Sequence, residues 1–405
     1  MVHFYWLLLL LAALPVFPLL WMGWGKKRLW WICLVPCLAV MLYARLEISA
    51  YYKSVYIPPA APTANLAGEA KIADSLASAG GHEIPFEALF GSKEAFLNWK
   101  DTFQKWYADR IDAIPKLAPS SYTILGKEQF NGLTLITIAF TFPPDSPLHN
   151  KPAGGILAIP DKAIKNIPVI AVHGHEERHW GQYPLDLFKE QKWPFELARS
   201  GYVVWAPVSM YHTEIADFGE TFGYPLVWVK IISEGMNYLI NKEILHTPEK
   251  TWIVSGLSSG AQTGYALMAY RSDIKYGIFA GAEQNLDFLR REYRIKGHPN
   301  CWEIEGINSF STVMALIAPR PMQFQTGRND PFFPHGRALE RQGDYFSGTS
   351  RGQYSTEIGG DFLAVRSIYA MFNKKNYFSV MIHDGGHEFN VKEALAFINK
   401  FNEND

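Results

Sequence analysis

Two apolar runs dominate the first 44 positions. Phe4–Trp24 carries no charged residue across 21 positions, which as a helix would span about 31 Å at roughly 1.5 Å per residue, the depth of a bilayer core. Lys26, Lys27 and Arg28 follow, and a second run, Leu29–Ala44, ends at Arg45. The pattern predicts an N-terminal transmembrane helical hairpin. Trp21, Trp24, Trp30 and Trp31 bracket the basic triplet as an interfacial belt would. A turn rich in Lys and Arg belongs in the cytoplasm, which puts all that follows the hairpin on the extracytoplasmic (periplasmic) side of the inner or plasma membrane. One spanning helix or a cleaved signal peptide are the alternatives. Against the signal peptide, no basic residue precedes the first run, and a second run follows at once.

The pattern then changes. Ile57–Gly68 (IPPAAPTANLAG) is rich in Pro and Ala and reads as a semi-rigid tether. From Ser92 the period becomes helical. Ser92 can cap, Glu94 suits the first turn, and Phe96, Trp99, Phe103 and Trp106 recur at steps of three and four. This face is expected to pack on the domain that follows. Strand-like runs dominate from about Ser121. Leu133–Phe142 alternates, as an antiparallel edge does. Gly155–Ile159, Pro168–Val172, Tyr202–Pro207, Thr251–Ser255, Tyr276–Ala280, Met322–Thr326 and Tyr377–Ile382 are short apolar runs, separated from the third onward by helical or longer stretches. Such runs fit a parallel sheet buried on both faces. The reading is an α/β class, with residues 1–50 a membrane anchor, 51–91 a linker and 92–405 one large folded domain.

Composition narrows the function classes. Aromatics make up 15% and charged residues 19% of 405 residues, and 38 basic groups face 39 acidic ones. A disordered chain would be poor in aromatics, and a nucleic-acid binder would show a basic excess. Three Cys do not make a disulfide scaffold or a Cys-based zinc module. Removing Lys26, Lys27 and Arg28 leaves 35 basic against 39 acidic groups, so the part beyond the hairpin is mildly acidic at −4.

The sharpest chemical signal lies in Thr251–Tyr270 (TWIVSGLSSGAQTGYALMAY). A short β-type run enters Gly256-Leu257-Ser258-Ser259-Gly260, and a helix-compatible stretch follows. A nucleophile elbow places its Ser on a strained strand-to-helix turn, where glycines two before and two after remove colliding Cβ atoms. Ser258 stands between the glycines. The bare motif is weak, and the strand and helix around it are the context it needs.

An exposed Ser needs a base, and the base needs an orienting acid. Asp330 follows the strand-like Met322–Thr326 and stands before Pro331. After Tyr377–Ile382 comes His383-Asp384-Gly385-Gly386-His387, where the glycines free the backbone to bring His387 over the strand ends. His383 is the alternative base, and Asp344, Asp361 and Asp384 are weaker candidates for the acid. Two main-chain N–H groups should hold an oxyanion: Ser259, next to the nucleophile, and His175, in the loop after Pro168–Gly174. His173, His175, His179 and Glu176 raise a zinc alternative: His175-Glu176-Glu177-Arg178-His179 has the H-E-x-x-H spacing, which would serve zinc only if His175 and His179 stood on a helix.

These residues resemble the serine α/β-hydrolases near the acetyl xylan esterase and dienelactone hydrolase-like group, over roughly Gly155–Phe389. The likeness is carried by His173-Gly174, Gly201–Pro207, the Ser258 elbow, Ala315–Pro334 (ALIAPRPMQFQTGRNDPFFP) and Gly385-Gly386-His387. It implies an α/β-hydrolase fold, nucleophile Ser258, acid Asp330, base His387 and hydrolysis of acyl esters, with no metal and no cofactor. Ser258 in place of Cys sets the chain apart from true dienelactone hydrolases, and Glu176-Glu177-Arg178 and Ala261 stand where relatives often carry Gly. Gly343–Gly360 reads as an inserted loop able to cover the site. The expected partners are a small-molecule, carbohydrate or lipid ester and the membrane, with no nucleic acid. A serine peptidase, an acyltransferase and a non-catalytic binding protein on the same fold stay open, as does the oligomeric state.

Overall fold

The structure, a computed structural model, describes residues 92–115, 117–151, 153–162, 165–174, 192–208, 224–245, 251–282, 310–330, 362 and 365–402. The expected hairpin and linker lie outside these residues. Among the described residues no helix is long and apolar enough to cross a membrane.

Nine strands form one sheet: β1 (Ser121–Phe130), β2 (Leu133–Thr141), β3 (Gly154–Pro160), β4 (Val169–Val172), β5 (Val204–Val208), β6 (Trp252–Leu257), β7 (Ile274–Ala280), β8 (Met322–Gly327) and β9 (Phe378–His383). Their spatial order is β1-β2-β3-β5-β4-β6-β7-β8-β9. The first three run antiparallel to their neighbours, and β5 through β9 are parallel. The antiparallel edge is therefore three strands wide. β1 and β2 meet at Asn131-Gly132, both at positive φ (50° and 79°), the geometry that lets a two-residue turn match the strand twist.

Parallel strands buried on both faces need apolar side chains on both, and the core divides accordingly. Ile170 and Val172 of β4, with Trp252 and Val254 of β6, join one cluster. Val169, Ala171 and Ile253 join the other. The first cluster is covered by α1 (Lys93–Asp112), α3 (Tyr224–Asn241), α4 (Ser259–Tyr270) and α5 (Phe310–Ile317). The second is covered by α2 (Trp193–Arg199) and α6 (Val391–Asn402). The result is a three-layer αβα sandwich.

α1 begins as its sequence suggests, with Ser92 Oγ accepting the Ala95 N–H at 3.1 Å. Phe96, Phe103, Tyr107 and Ile111 form its buried stripe, while Trp99 and Trp106 are partly buried and stack on Phe103. The helix also serves the end of α4. The last carbonyls of a helix lack partners within it. Here Leu267 O accepts the Arg271 N–H at 2.9 Å, Met268 O accepts from Arg320 at 2.5 Å, and Ala269 O accepts from Gln104 of α1 at 2.6 Å. Side chains far apart in sequence thus close the helix that begins beside Ser258.

Candidate active site

β6 runs through Leu257, two residues further than its apolar run suggests, because Gly256 still pairs with Val172 and Phe279. The chain then turns at Ser258 with φ 57° and ψ −125°, and α4 starts at Ser259. Such a conformation costs a non-glycine residue about 1–3 kcal/mol and persists only where its surroundings impose it. The neighbouring glycines show how. A Cβ on Gly256 would collide with the carbonyl of Gly260, and one on Gly260 with the carbonyls of Val172 and His173. The turn is further held by Ser258 N–H, which donates to Ala280 O of β7 at 2.8 Å. Gly174 sits close by: a Cβ there would lie 3.3 Å from Ser258 Cβ. The first residues after β4 therefore lie against the elbow. Ser259 opens α4, where the first N–H groups have no partner within the helix and the helix dipole is positive. His175 lies outside the described residues, as do His179, Glu176, Asp344, Asp361 and the Gly343–Gly360 stretch.

Asp330 and His387 come from the loops after β8 and β9, and those loops are bonded to one another. Arg328 N–H donates to His383 O at 2.7 Å, and Asn329 N–H donates to Gly385 O at 3.0 Å. Asn329 Nδ2 reaches Asp384 O at 2.7 Å, and Arg328 pairs with the Asp384 carboxylate. Gly327 has no room for a Cβ because the Gly386 carbonyl lies against it. The outcome is a hydrogen bond of 2.8 Å between His387 Nδ1 and Asp330 Oδ2. The Asp330 side chain is 1% exposed and the imidazole 18%. A carboxylate accepts from Nδ1–H, which leaves Nε2 as the basic nitrogen of the ring.

Gly281 lies beneath this pair. It has φ +58°, and a Cβ there would stand 2.7 Å from His387 Cε1 and 2.9 Å from Nδ1. Since Gly281 directly follows the Ala280 that accepts the Ser258 N–H, one short stretch of β7 touches both the elbow and the imidazole. Sequence reasoning missed Gly281. In the sequence it is only a glycine at a strand end, with nothing to mark the imidazole it meets.

The competing candidates are differently placed. The His383 side chain is 7% exposed, and its Nδ1 accepts the Gly385 N–H at 3.2 Å. Burial pushes its pKa below the usual 6.5, against the opposing pull of Glu388 and Asp330. The Asp384 carboxylate is 90% exposed. His173 is buried, with Nδ1 donating to Gly174 O at 2.6 Å. Among the described residues no group of three or more His, Cys, Asp and Glu could hold a metal ion. A cavity of about 740 Å³ opens at the amino ends of β6–β9, against Asp273, Arg320 and Lys400, at the opposite end of the strands from Ser258.

By sequence, no family model and no curated protein matches the chain. By structure, the chain is similar to Methylesterase BT1017, at 17% identity over 84% of this chain and 69% of that one, with a TM-score of 0.53. A glucuronoyl esterase from Solibacter usitatus is 11% identical over 79% of this chain and 96% of its own, with a TM-score of 0.49. A CE15 glucuronoyl esterase from Teredinibacter turnerae T7901 is 16% identical over 84% and 93%, with a TM-score of 0.48. Each of these neighbours is by name an esterase. With its mostly parallel nine-stranded sheet covered by helices on both faces, the chain has the α/β-hydrolase fold.

Proposed function

We propose that this chain is a membrane-tethered serine hydrolase that cleaves carboxylic esters. The observation that carries the reading is that consecutive residues at the end of β7 touch two features: Ala280 O accepts the N–H of the strained Ser258, and the Asp330–His387 pair sits on Gly281. Neither feature helps the fold. A strained turn raises the energy of the native state, and a nearly buried carboxylate must be desolvated.

In the proposed reaction Ser258 Oγ attacks the acyl carbon while His387 Nε2 takes its proton. Asp330 holds the imidazole through Nδ1–H and stabilises the imidazolium. The main-chain N–H groups of Ser259 and His175 bind the oxyanion. As the tetrahedral intermediate collapses, the C–O bond to the alcohol breaks and His387 gives the leaving oxygen its proton. Water, deprotonated by His387, then attacks the acyl-enzyme, and Ser258 regains its proton as the acid departs. No cofactor is needed. Methylesterase BT1017, whose fold this chain shares, is by name an ester hydrolase. The substrate proposed here is a small-molecule, carbohydrate or lipid ester.

Tethering rests on the two apolar runs flanking Lys26, Lys27 and Arg28, which favour a hairpin with the enzyme on the extracytoplasmic side. The test is a chain-length series of p-nitrophenyl esters, with matched p-nitroanilides, given to the detergent-solubilised full chain. Ester turnover that disappears in Ser258→Ala is expected. No turnover of any ester, or turnover unchanged in Ser258→Ala, would overturn the proposal.

A further inference from the structure

Gln325 stands where an apolar residue would be expected. β8 is buried along its whole length, and such strands are ordinarily apolar on both faces. Met322 and Phe324 follow that rule and join the core under α4 and α5. Gln323 and Gln325 point the other way and are also buried, Gln325 completely. A buried primary amide is costly unless each polar atom finds a partner. Gln325 Nε2 donates to Gln323 Oε1 at 2.9 Å and to Asn390 O at 3.0 Å. Its Oε1 accepts the Asn390 N–H at 2.9 Å. Reversing the amide would set donor against donor and acceptor against acceptor, so the orientation is fixed by its partners.

Asn390 is the exit of the loop that carries His387. Its side chain caps α6 by accepting the Glu393 N–H at 3.2 Å. The start of the loop is held by the bonds from Arg328 and Asn329 to the carbonyls of His383 and Gly385, and its exit by the Gln325 amide. Gln325 acts on a second side as well. Its main-chain oxygen accepts the Gly281 N–H at 3.0 Å, and Gly281 is the floor under the imidazole. One residue therefore fixes both the loop that bears His387 and the surface on which the ring rests. Anchoring α6 does not require the amide, because that helix buries Val391, Ala394, Phe397, Ile398 and Phe401.

We infer that the Gln325 side chain is a positioning group for His387, acting through Asn390 rather than on the substrate. The inference rests on the hydrolase reading above. In Gln325→Met the side chain keeps its length but loses every bond to Asn390.

The test is kcat per active site, with sites counted by fluorophosphonate titration, for p-nitrophenyl ester hydrolysis by the full chain. Since an error of about 1 Å in a catalytic group can cost about 10²-fold, Q325M should lose about 10- to 10²-fold in kcat with KM within about twofold of wild type. Gln323→Leu leaves the Asn390 bonds in place and should stay within about twofold in kcat, as an order-of-magnitude expectation. A purely structural role would lower Tm and the fraction of titratable sites, yet leave kcat per site unchanged. That result in Q325M overturns the inference. If Q325M does not fold, Gln325→Asn keeps the amide, falls one methylene short of Asn390 and is judged by the same readout. Wild type that turns over normally beside an unaffected Gln325 variant removes only this inference. Wild type that neither labels nor turns over removes the hydrolase reading, and this inference with it.

Discussion

His387 Nδ1 lies 2.8 Å from Asp330 Oδ2, although the two residues stand on different loops after neighbouring strands. The carboxylate is almost without solvent and holds the imidazole through this bond. Asp330→Asn keeps the volume but offers an amide that favours the wrong tautomer. By the general behaviour of Ser-His-Asp sites, kcat should fall about 10⁴-fold while substrate binding changes little. Steady-state kinetics on the purified variant, with circular dichroism to confirm folding, checks this.

Gly281→Ala should damage the site through two independent effects. Its φ of +58° disfavours any side chain, and the added methyl would press on His387 Cε1 at 2.7 Å. Displacing the imidazole by a fraction of an ångström to about 1 Å should reduce kcat by up to about 10²-fold. The fluorophosphonate labelling rate should fall in parallel. Unchanged labelling in a folded Gly281→Ala protein would mean that the ring does not rest on this glycine.

His383 makes stability depend on pH. Burial lowers its folded-state pKa below the ordinary 6.5, while Glu388 and Asp330 pull it up and Arg328 pulls it down. The unfolded chain therefore binds the proton more readily than the native one. Stability is full above about pH 6.5 and falls as pH drops from there through the folded value. Thermal unfolding should show a lower Tm at pH 5 than at pH 7.5, and His383→Asn should shrink that difference. A difference of the same size in the variant would assign the effect to other groups.

Much of the fold could be read from the chain because most buried strands are short, largely apolar runs, β4 (VIAV) the plainest and β8, with Gln323 and Gln325, the exception. The elbow was legible for a related reason: glycines on either side of Ser258 are a local sterics problem, and local problems are visible in sequence. Strand ends likewise marked the neighbourhoods of Asp330 and His387, but not the bond between them. Gly281 and Gln325 could not be read. Gly281 gains its role only because β7 lies beside β6 and an imidazole arrives from the loop after β9. Gln325 sits in Met322-Gln323-Phe324-Gln325, where nothing in the sequence says which of the two glutamines meets a loop 65 positions away. The capping of α4 by Gln104, 165 positions from Ala269, was hidden in the same way.

Arg320 tests that capping network. Its guanidinium donates to the carbonyls of Met268, Arg271, Ile274 and Ile317, and burial pushes its pKa down to about 10. A lysine ammonium cannot reach four carbonyls arranged for a planar fork. Arg320→Lys should cost about 3 kcal/mol, since each buried carbonyl left without a partner costs about 1–3 kcal/mol. Denaturant unfolding followed by fluorescence measures it. A loss below about 0.5 kcal/mol, the range of ordinary surface substitutions, would show that the network does not need the fork.

The central claim is that Ser258 is an activated nucleophile. The most direct measurement is covalent labelling of the folded full chain by a fluorophosphonate, with the modified residue located by mass spectrometry. One label per chain is expected, on Ser258, absent in Ser258→Ala and strongly slowed in His387→Ala. A folded wild-type chain that takes up no label, or one labelled equally in Ser258→Ala, would contradict it.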